Sequence, residues 1–254
     1  MRSVTICSNN NYQALRLKIQ SSNDGIKFND VIQLIPPRHG WQDADEPYSF
    51  AIPATTAKYF RFVFEKDGTE PGAEDLDAAK WKSTLKVKHI VLSEESIIDN
   101  YQAKNGSVWR VAAPTNALNN SDAIPLKNII NLSGKLDKNG VLQYDLPKGN
   151  WVIVRIGVTT TAHKNETAGG GKGLECDKFN PVAVKLQFDN WFNKIYHCVD
   201  EATAKEVIKL FHVDSWECGS QNWRNNFSTE FKKRRGYDLM PYLPVMMGVP
   251  IESV

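Results

Sequence analysis

The first hundred residues alternate apolar with polar positions, a period of two that is typical of half-buried β-strands. The alternation is clearest at 15–20, 60–65 and 85–92, and prolines and glycines interrupt the chain between these segments. Residues 21–25, Ser-Ser-Asn-Asp-Gly, have the composition of a turn. Short strands separated by frequent turns predict a β-sandwich for residues 1–98.

A second β segment is predicted after a polar, irregular connection at about 99–125. Residues 141–146 have a strand-like pattern between two turns. Residues 151–158, Trp-Val-Ile-Val-Arg-Ile-Gly-Val, carry apolar groups on both faces, so we expect a largely buried strand. The connection and this β segment together form a predicted middle region, 99–165.

The pattern changes to helical spacing after the three successive glycines that begin at Gly169. The predicted helices occupy residues 182–199, 202–210 and 226–235. We expect Val207 and Leu210 to face inward and the last helix to stop at Gly236. With a short strand at 211–217 between helices, the alternation predicts the incomplete start of a β/α barrel of the TIM type over 166–254.

Composition and charge exclude some function classes. The 254 residues (28.6 kDa) contain 31 Lys and Arg against 29 Asp and Glu, a formal net charge of +2. So small an excess argues against nucleic acid as a partner, because phosphate binding favours a strongly basic face. No apolar run approaches the roughly 20 residues that span a bilayer, so we expect no membrane insertion. The four cysteines are far apart and lack zinc-site spacing, so we interpret them as ordinary thiols.

Two carboxylates and an indole stand at the end of the predicted strand at 211–217. Asp214, Trp216 and Glu217 would lie at its C-terminal end, where catalytic groups gather in β/α barrels. A carboxylic acid beside a Trp has its neutral form favoured, which suits a general acid that protonates a leaving oxygen. Alternatively, Asp214 and Glu217 cap the next helix or pair with Arg224.

Groups suited to sugar binding follow within a few residues. Trp216 and Trp223 offer flat apolar faces for a sugar ring, and Gln221 and Asn222 offer amides for its hydroxyls. Sugar binding at this segment is therefore a hypothesis that goes with the candidate acid.

A second polar group follows the glycine-rich loop. Glu175, Asp177 and Lys178 could bind substrate or position a catalytic group. They could equally form a solvated loop or an acidic cluster at a helix N-terminus, since Asp177 precedes the helix expected near Pro181.

Several strings in the second half of the chain resemble glycoside hydrolase family 106, the α-L-rhamnosidases. They occur in the family's order and cover roughly 124–254. The matching strings are residues 146–151, 155–157, 173–178, 212–217, 219, 221–223, 231, 234–238 and 241–244.

The resemblance implies an inverting hydrolase of rhamnose-containing oligo- or polysaccharides, with a β/α-barrel catalytic domain decorated by β-sandwiches. It makes Glu217 the candidate catalytic carboxylate, most plausibly the acid, and Asp214, Trp216, Gln221, Asn222, Trp223, Glu175, Asp177 and Lys178 candidate substrate-binding residues. Inversion requires a second carboxylate, which we expect beyond the chain. The family is also associated with calcium, whose ligands are not assigned to positions here, and with bacterial export to the periplasm or the exterior for polysaccharide degradation.

The opening segment resembles a galactose-binding or discoidin-type sandwich. The resemblance lies in residues 21–28, 52–53 and 57–62, which are turn and core strings. They support the fold more than a binding function. A loop site made of His39, Trp41, Asp43 and Asp45 is an alternative to simple solvated residues.

The chain is also short for the architecture that the resemblance implies. A closed barrel takes about 250 residues by itself, whereas about 85 follow Gly169. We therefore expect a fragment of a longer enzyme, truncated at both ends, with exposed apolar faces and uncertain activity alone. The alternative is a carbohydrate-binding or structural module without catalysis.

Overall fold

The structure is a computed structural model. It describes residues 1–9, 16–35, 38–39, 46–64, 85–106, 110–111, 120–162, 164, 169–213 and 221–252. The chain divides into two compact units. The first unit comprises Met1–Gly157 together with Asn226–Val254, and the second unit is Val158–Asn225. The domain division at 98 and 165 that the sequence suggests stays a prediction.

Small antiparallel sheets dominate the first unit. Among the described residues, β1 lies between β5 and β7 in one three-stranded sheet, and β2 lies between β3 and β6 in another, while β4 pairs with β8. The strands are β1 (Ser3–Ser8), β2 (Leu17–Ser22), β3 (Asn29–Gln33), β4 (Arg38–His39), β5 (Tyr48–Ala51), β6 (Tyr59–Phe64), β7 (Val87–Ser93) and β8 (Arg110–Val111). The predicted strands near 15–20, 60–65 and 85–92 are confirmed as β2, β6 and β7.

The core of the first unit is a single apolar cluster to which both three-stranded sheets contribute. Val4 of β1, Ile19 of β2 and Phe50 of β5 are at most 3% exposed. Ile6, Leu17, Leu34, Tyr48 and Ile52 complete the buried cluster. Removing these side chains from water is the main stabilising contribution to this part of the chain.

The predicted turn after β2 is confirmed, and side chains hold it. Asp24 Oδ1 accepts hydrogen bonds from the backbone N–H groups of Ile26 and Lys27, both at 2.8 Å, and from the Ser22 hydroxyl at 2.8 Å. These bonds hold the pKa of Asp24 below its usual value. Gly25 has φ 75°, a left-handed conformation that glycine adopts without strain.

The end of the described chain packs on the connection after β7. The backbone N–H of Ile98 donates to the Gly248 carbonyl at 2.7 Å, and Ile124 forms a parallel bridge with Ile251. Gly248 has φ 85°, and a Cβ there would lie 2.6 Å from side-chain carbons of both Ile97 and Tyr101. A side chain at position 248 is therefore excluded by both conformation and space.

The expectation of a buried strand at 151–158 is wrong. These residues have no regular secondary structure, and Val152 and Ile153 are 79% and 64% exposed. Residues 141–146 are likewise no strand, apart from an isolated bridge between Leu136 and Leu142. A strand needs a neighbour for its backbone hydrogen bonds and a cover for its apolar faces, and no described residues supply these here.

The predicted helices are confirmed in position but are shorter. They are α1 (Pro181–Asn190), α2 (Phe192–Tyr196), α3 (Glu201–Val207) and α4 (Phe227–Arg235). Trp191 interrupts the first, and Gly236 ends the last with φ 83°, as expected.

Two expectations near α3 are wrong. Val207 and Leu210 are 70% and 78% exposed rather than inward. Val207 is the last residue of α3 and Leu210 lies beyond its end, whereas Ala204 within the helix is fully buried. Residues 211–213, the described part of the expected strand, are not a strand. Phe211 instead packs edge-to-face against α1 and α2, with its ring centroid 5.8 Å from that of Phe188 and 4.9 Å from that of Phe192.

Candidate active site

The predicted site residues fall into two sets. Asp214, Trp216 and Glu217 lie outside the described residues. The described ones, Glu175, Asp177, Lys178, Gln221, Asn222 and Trp223, all belong to the unit Val158–Asn225. The loop residues Trp41, Asp43 and Asp45 also lie outside the described part, which includes only the backbone of His39.

A tight turn precedes α1 and holds the first of these side chains. Asp177 Oδ1 accepts from the backbone N–H of Phe179 at 3.0 Å, and the Asp177 carbonyl accepts from the N–H of Asn180 at 3.0 Å. Asn180 then caps α1 by accepting from the N–H of Val182, and Pro181 occupies the first helical position. The sequence Asp-Lys-Phe-Asn-Pro thus fixes the direction in which Asp177 leaves the backbone.

Gln221 joins this turn to the segment that follows Glu217 in the sequence. Its side-chain Oε1 accepts from the backbone N–H of Lys178 at 3.1 Å, and its Nε2 donates to Asp177 Oδ1. Both ends of the amide are therefore engaged by protein groups. No local pattern in the sequence signals this contact, because Gln221 and Asp177 are 44 residues apart.

Arg224 makes a further contact between the same two segments. Its Nη1 donates to the carbonyl of Phe179, and its buried Nε has no hydrogen-bond partner in the described part of the chain. The pairing of Arg224 with Asp214 or Glu217 stays a prediction, since both carboxylates lie outside the described residues.

Lys178 forms an ion pair with Glu175. Lys178 Nζ lies 3.2 Å from Glu175 Oε2, and the two side chains are 27% and 31% exposed. A pair this accessible adds about 0–1 kcal/mol to stability, so it orients the side chains more than it stabilises the loop.

The arrangement leaves one carboxylate oxygen of Asp177 without a hydrogen-bond partner among the described residues, while the other accepts from Phe179 and Gln221. A carboxylate oxygen held in this way can accept a hydrogen bond from a sugar hydroxyl. Asn222 and Trp223 follow Gln221 in the same segment. The described part therefore presents acceptor and aromatic groups in two neighbouring segments.

The described residues contain no group of three or more His, Cys, Asp or Glu side chains that could hold a metal ion. The ligands of the calcium ion that the resemblance implies stay unassigned. None of the described helices is long and apolar enough to cross a membrane.

Comparison of the whole sequence with known families decides its membership. The profile of an α-L-rhamnosidase family, glycoside hydrolase family 106, matches residues 10–254. The chain belongs to this α-L-rhamnosidase family. The resemblance in the strings of the second half of the sequence is thereby confirmed, and it extends through most of the first half.

Two relatives place the family member in context. A protein from Formosa agariphila named "Putative beta-glucuronidase" is 34% identical over 176 residues, which are 68% of this chain and 14% of that protein. The solved structure of a rhamnosidase from Novosphingobium sp. PP1Y aligns with a TM-score of 0.63 and 21% identity, over 98% of this chain and 22% of that one. The fold is thus that of part of a rhamnosidase structure, and the chain spans less than a quarter of either protein.

Proposed function

We propose that this family 106 member is an α-L-rhamnosidase-type glycoside hydrolase, acting with inversion on rhamnose-containing oligo- or polysaccharides. The observation that carries the proposal is the family match over residues 10–254, which includes the string His-Val-Asp-Ser-Trp-Glu ending at Glu217. The association of the family with bacterial export supports a periplasmic or extracellular location.

Glu217 takes the role of general acid. It protonates the glycosidic oxygen as the bond to the sugar breaks, and the neighbouring Trp216 favours its neutral form. In an inverting enzyme a second carboxylate, about 6.5–9.5 Å away, activates water on the opposite face of the sugar. We assign that second carboxylate to a part of the enzyme beyond this chain.

The substrate-binding residues come from two segments of the sequence. Asp214, Asn222, Glu175, Asp177 and Lys178 supply polar groups for sugar hydroxyls, and Trp216 and Trp223 supply apolar faces. The contacts of residues 177–179 with Gln221 and Arg224 support this assignment, because they join the described parts of the two segments.

The fold proposal follows the same logic. Residues 1–98 form a galactose-binding-type sandwich, supported by two sheets that share one core. Residues 166–254 form the start of the β/α barrel. The high exposure of Val182 (74%), Leu186 (63%) and Leu210 (78%) supports burial of these side chains against further chain in the complete enzyme. We therefore expect the isolated chain to be poorly active and prone to association.

The decisive variant is Glu217→Gln in the protein expressed from its complete reading frame. It removes the proton donor without changing side-chain size, and we expect kcat on an α-L-rhamnoside with a poor leaving group to fall about 10²–10⁴-fold. Glu230→Gln is the matched control, since Glu230 lies exposed on α4 and pairs only with Arg234 among the described residues. Near-normal turnover by Glu217→Gln would refute the role.

An aryl β-glucuronide serves as the competing substrate, because the relative from Formosa agariphila bears a β-glucuronidase name. Hydrolysis of the glucuronide with none of the rhamnoside would replace the proposed substrate class. Loss of activity on chelation, with recovery on adding calcium, would support a role for that ion.

A carbohydrate-binding or structural module is the second candidate, favoured by the two antiparallel sheets that share one core in the first unit. Glycan binding that survives Glu217→Gln and Trp223→Ala, but is lost in Trp41→Ala, would support it.

A further inference from the structure

The side-chain amide of Gln221 is held at both ends by the turn before α1. Its acceptor oxygen accepts from the backbone N–H of Lys178 at 3.1 Å, and its nitrogen donates to the carboxylate of Asp177. These two bonds orient the amide and the carboxylate relative to each other, although each end of the amide can form one more hydrogen bond. Asp177 accepts through one carboxylate oxygen, which leaves the other without a partner among the described residues.

The contact is close in sequence to the candidate acid. Gln221 is four residues after Glu217, and four residues span at most about 14 Å when fully extended. The hydrogen bond to Gln221 therefore connects Asp177 to a segment that begins shortly after Glu217 in the sequence. Arg224 ties the same segment to the carbonyl of Phe179, which makes the connection a pair of contacts rather than a single one.

We propose that Gln221 is a positioning residue. Its amide fastens the turn of Asp177 and Lys178 to the segment after Glu217, and so holds the open oxygen of Asp177 for a hydroxyl of the sugar that Glu217 cleaves. The inference rests on the proposed function and refines it, because it assigns to Gln221 the positioning of Asp177.

Gln221→Glu gives the inference a signature that a purely structural role lacks. The variant keeps the shape of the side chain but replaces the N–H donor to Asp177 with a second carboxylate. A hydrogen bond between residues 221 and 177 then forms only when one of the two carboxylates is protonated. We expect kcat/KM at pH 7 to fall about ten- to a hundredfold. The ratio of variant to wild-type kcat/KM then rises as the pH is lowered. Gln187→Glu, at an exposed position on α1, makes the same change away from the turn and should keep a constant ratio.

A double-mutant cycle tests whether Gln221 acts through Asp177. The variants Asp177→Ala, Gln221→Ala and their combination are assayed in the protein from the complete reading frame, with thermal unfolding as a check of folding. If Gln221 positions Asp177, adding Gln221→Ala to Asp177→Ala costs less than about twofold. Losses that multiply, a Gln221→Ala enzyme with wild-type kcat/KM, or a pH-independent Gln221→Glu ratio would each overturn the inference.

The same assay separates the two levels of the argument. An active wild type with an inactive Glu217→Gln enzyme and multiplying losses would overturn the role of Gln221 alone. A wild type without rhamnosidase activity would overturn the proposed function and the positioning role together.

Discussion

At the scale of single residues, local sequence is a good guide only where a side chain bonds to its own neighbours. The turn at Ser22–Gly25 and the cap at Asn180 could be predicted, because their partners lie within three residues. The link between Gln221 and Asp177 could not, since it joins segments 44 residues apart. The sequence identified both as site residues but offered no basis for the contact between them.

Asp24 provides a pH-dependent prediction at this scale. Backbone donors of Ile26 and Lys27, and then the Ser22 hydroxyl, lower its pKa in the folded state. A folded pKa below the unfolded value means a contribution to stability that is present above the unfolded pKa and lost as the pH falls through the folded one. Ser22→Ala removes one donor, so the Asp24 pKa should rise toward its ordinary value.

A carboxyl NMR titration checks this directly. Asp30 is the internal control, because its pKa is lowered mainly by the Gln20 side chain, which Ser22 does not contact among the described bonds. An unchanged Asp24 pKa in Ser22→Ala would contradict the account of this turn.

At the scale of elements, the apolar pattern of the sequence indicates a strand correctly where a pairing partner exists and wrongly where none does. The alternating segments are β2 and β6 in the structure. Leu17 and Ile19, the inward residues of β2, are almost completely buried. Residues 151–158 have an equally apolar pattern but no strand, because pairing depends on partners that the pattern does not specify. The strands β1 and β5 were not predicted, since their apolar runs are short.

Gly248 provides the prediction at this scale. Gly248→Ala forces a positive φ on alanine and brings its Cβ 2.6 Å from Ile97 and Tyr101, so the end of the chain should be displaced from the connection after β7. We expect the free energy of unfolding to fall by about 1–3 kcal/mol. Gly134→Ala is the control, because no heavy atom lies within 4 Å of its added Cβ. Equal denaturation midpoints for the two variants would refute the packing described here.

At the scale of the whole molecule, family membership could be recognised from sequence strings alone, and the profile match over residues 10–254 confirms it. The architecture was harder to predict, because the exposed apolar residues of the helices and of 151–158 need cover that the described residues do not supply. The proposed start of a β/α barrel would acquire its core only when further units of the barrel close on it.

The stereochemistry of hydrolysis tests the central claim most directly. The protein from the complete reading frame is mixed with an aryl α-L-rhamnoside, and the anomeric protons of the product are followed by NMR from the first turnovers. An inverting α-L-rhamnosidase releases β-L-rhamnose first, which then mutarotates to the equilibrium mixture. Early release of the α anomer would contradict inversion, and absence of hydrolysis would contradict the proposed function itself.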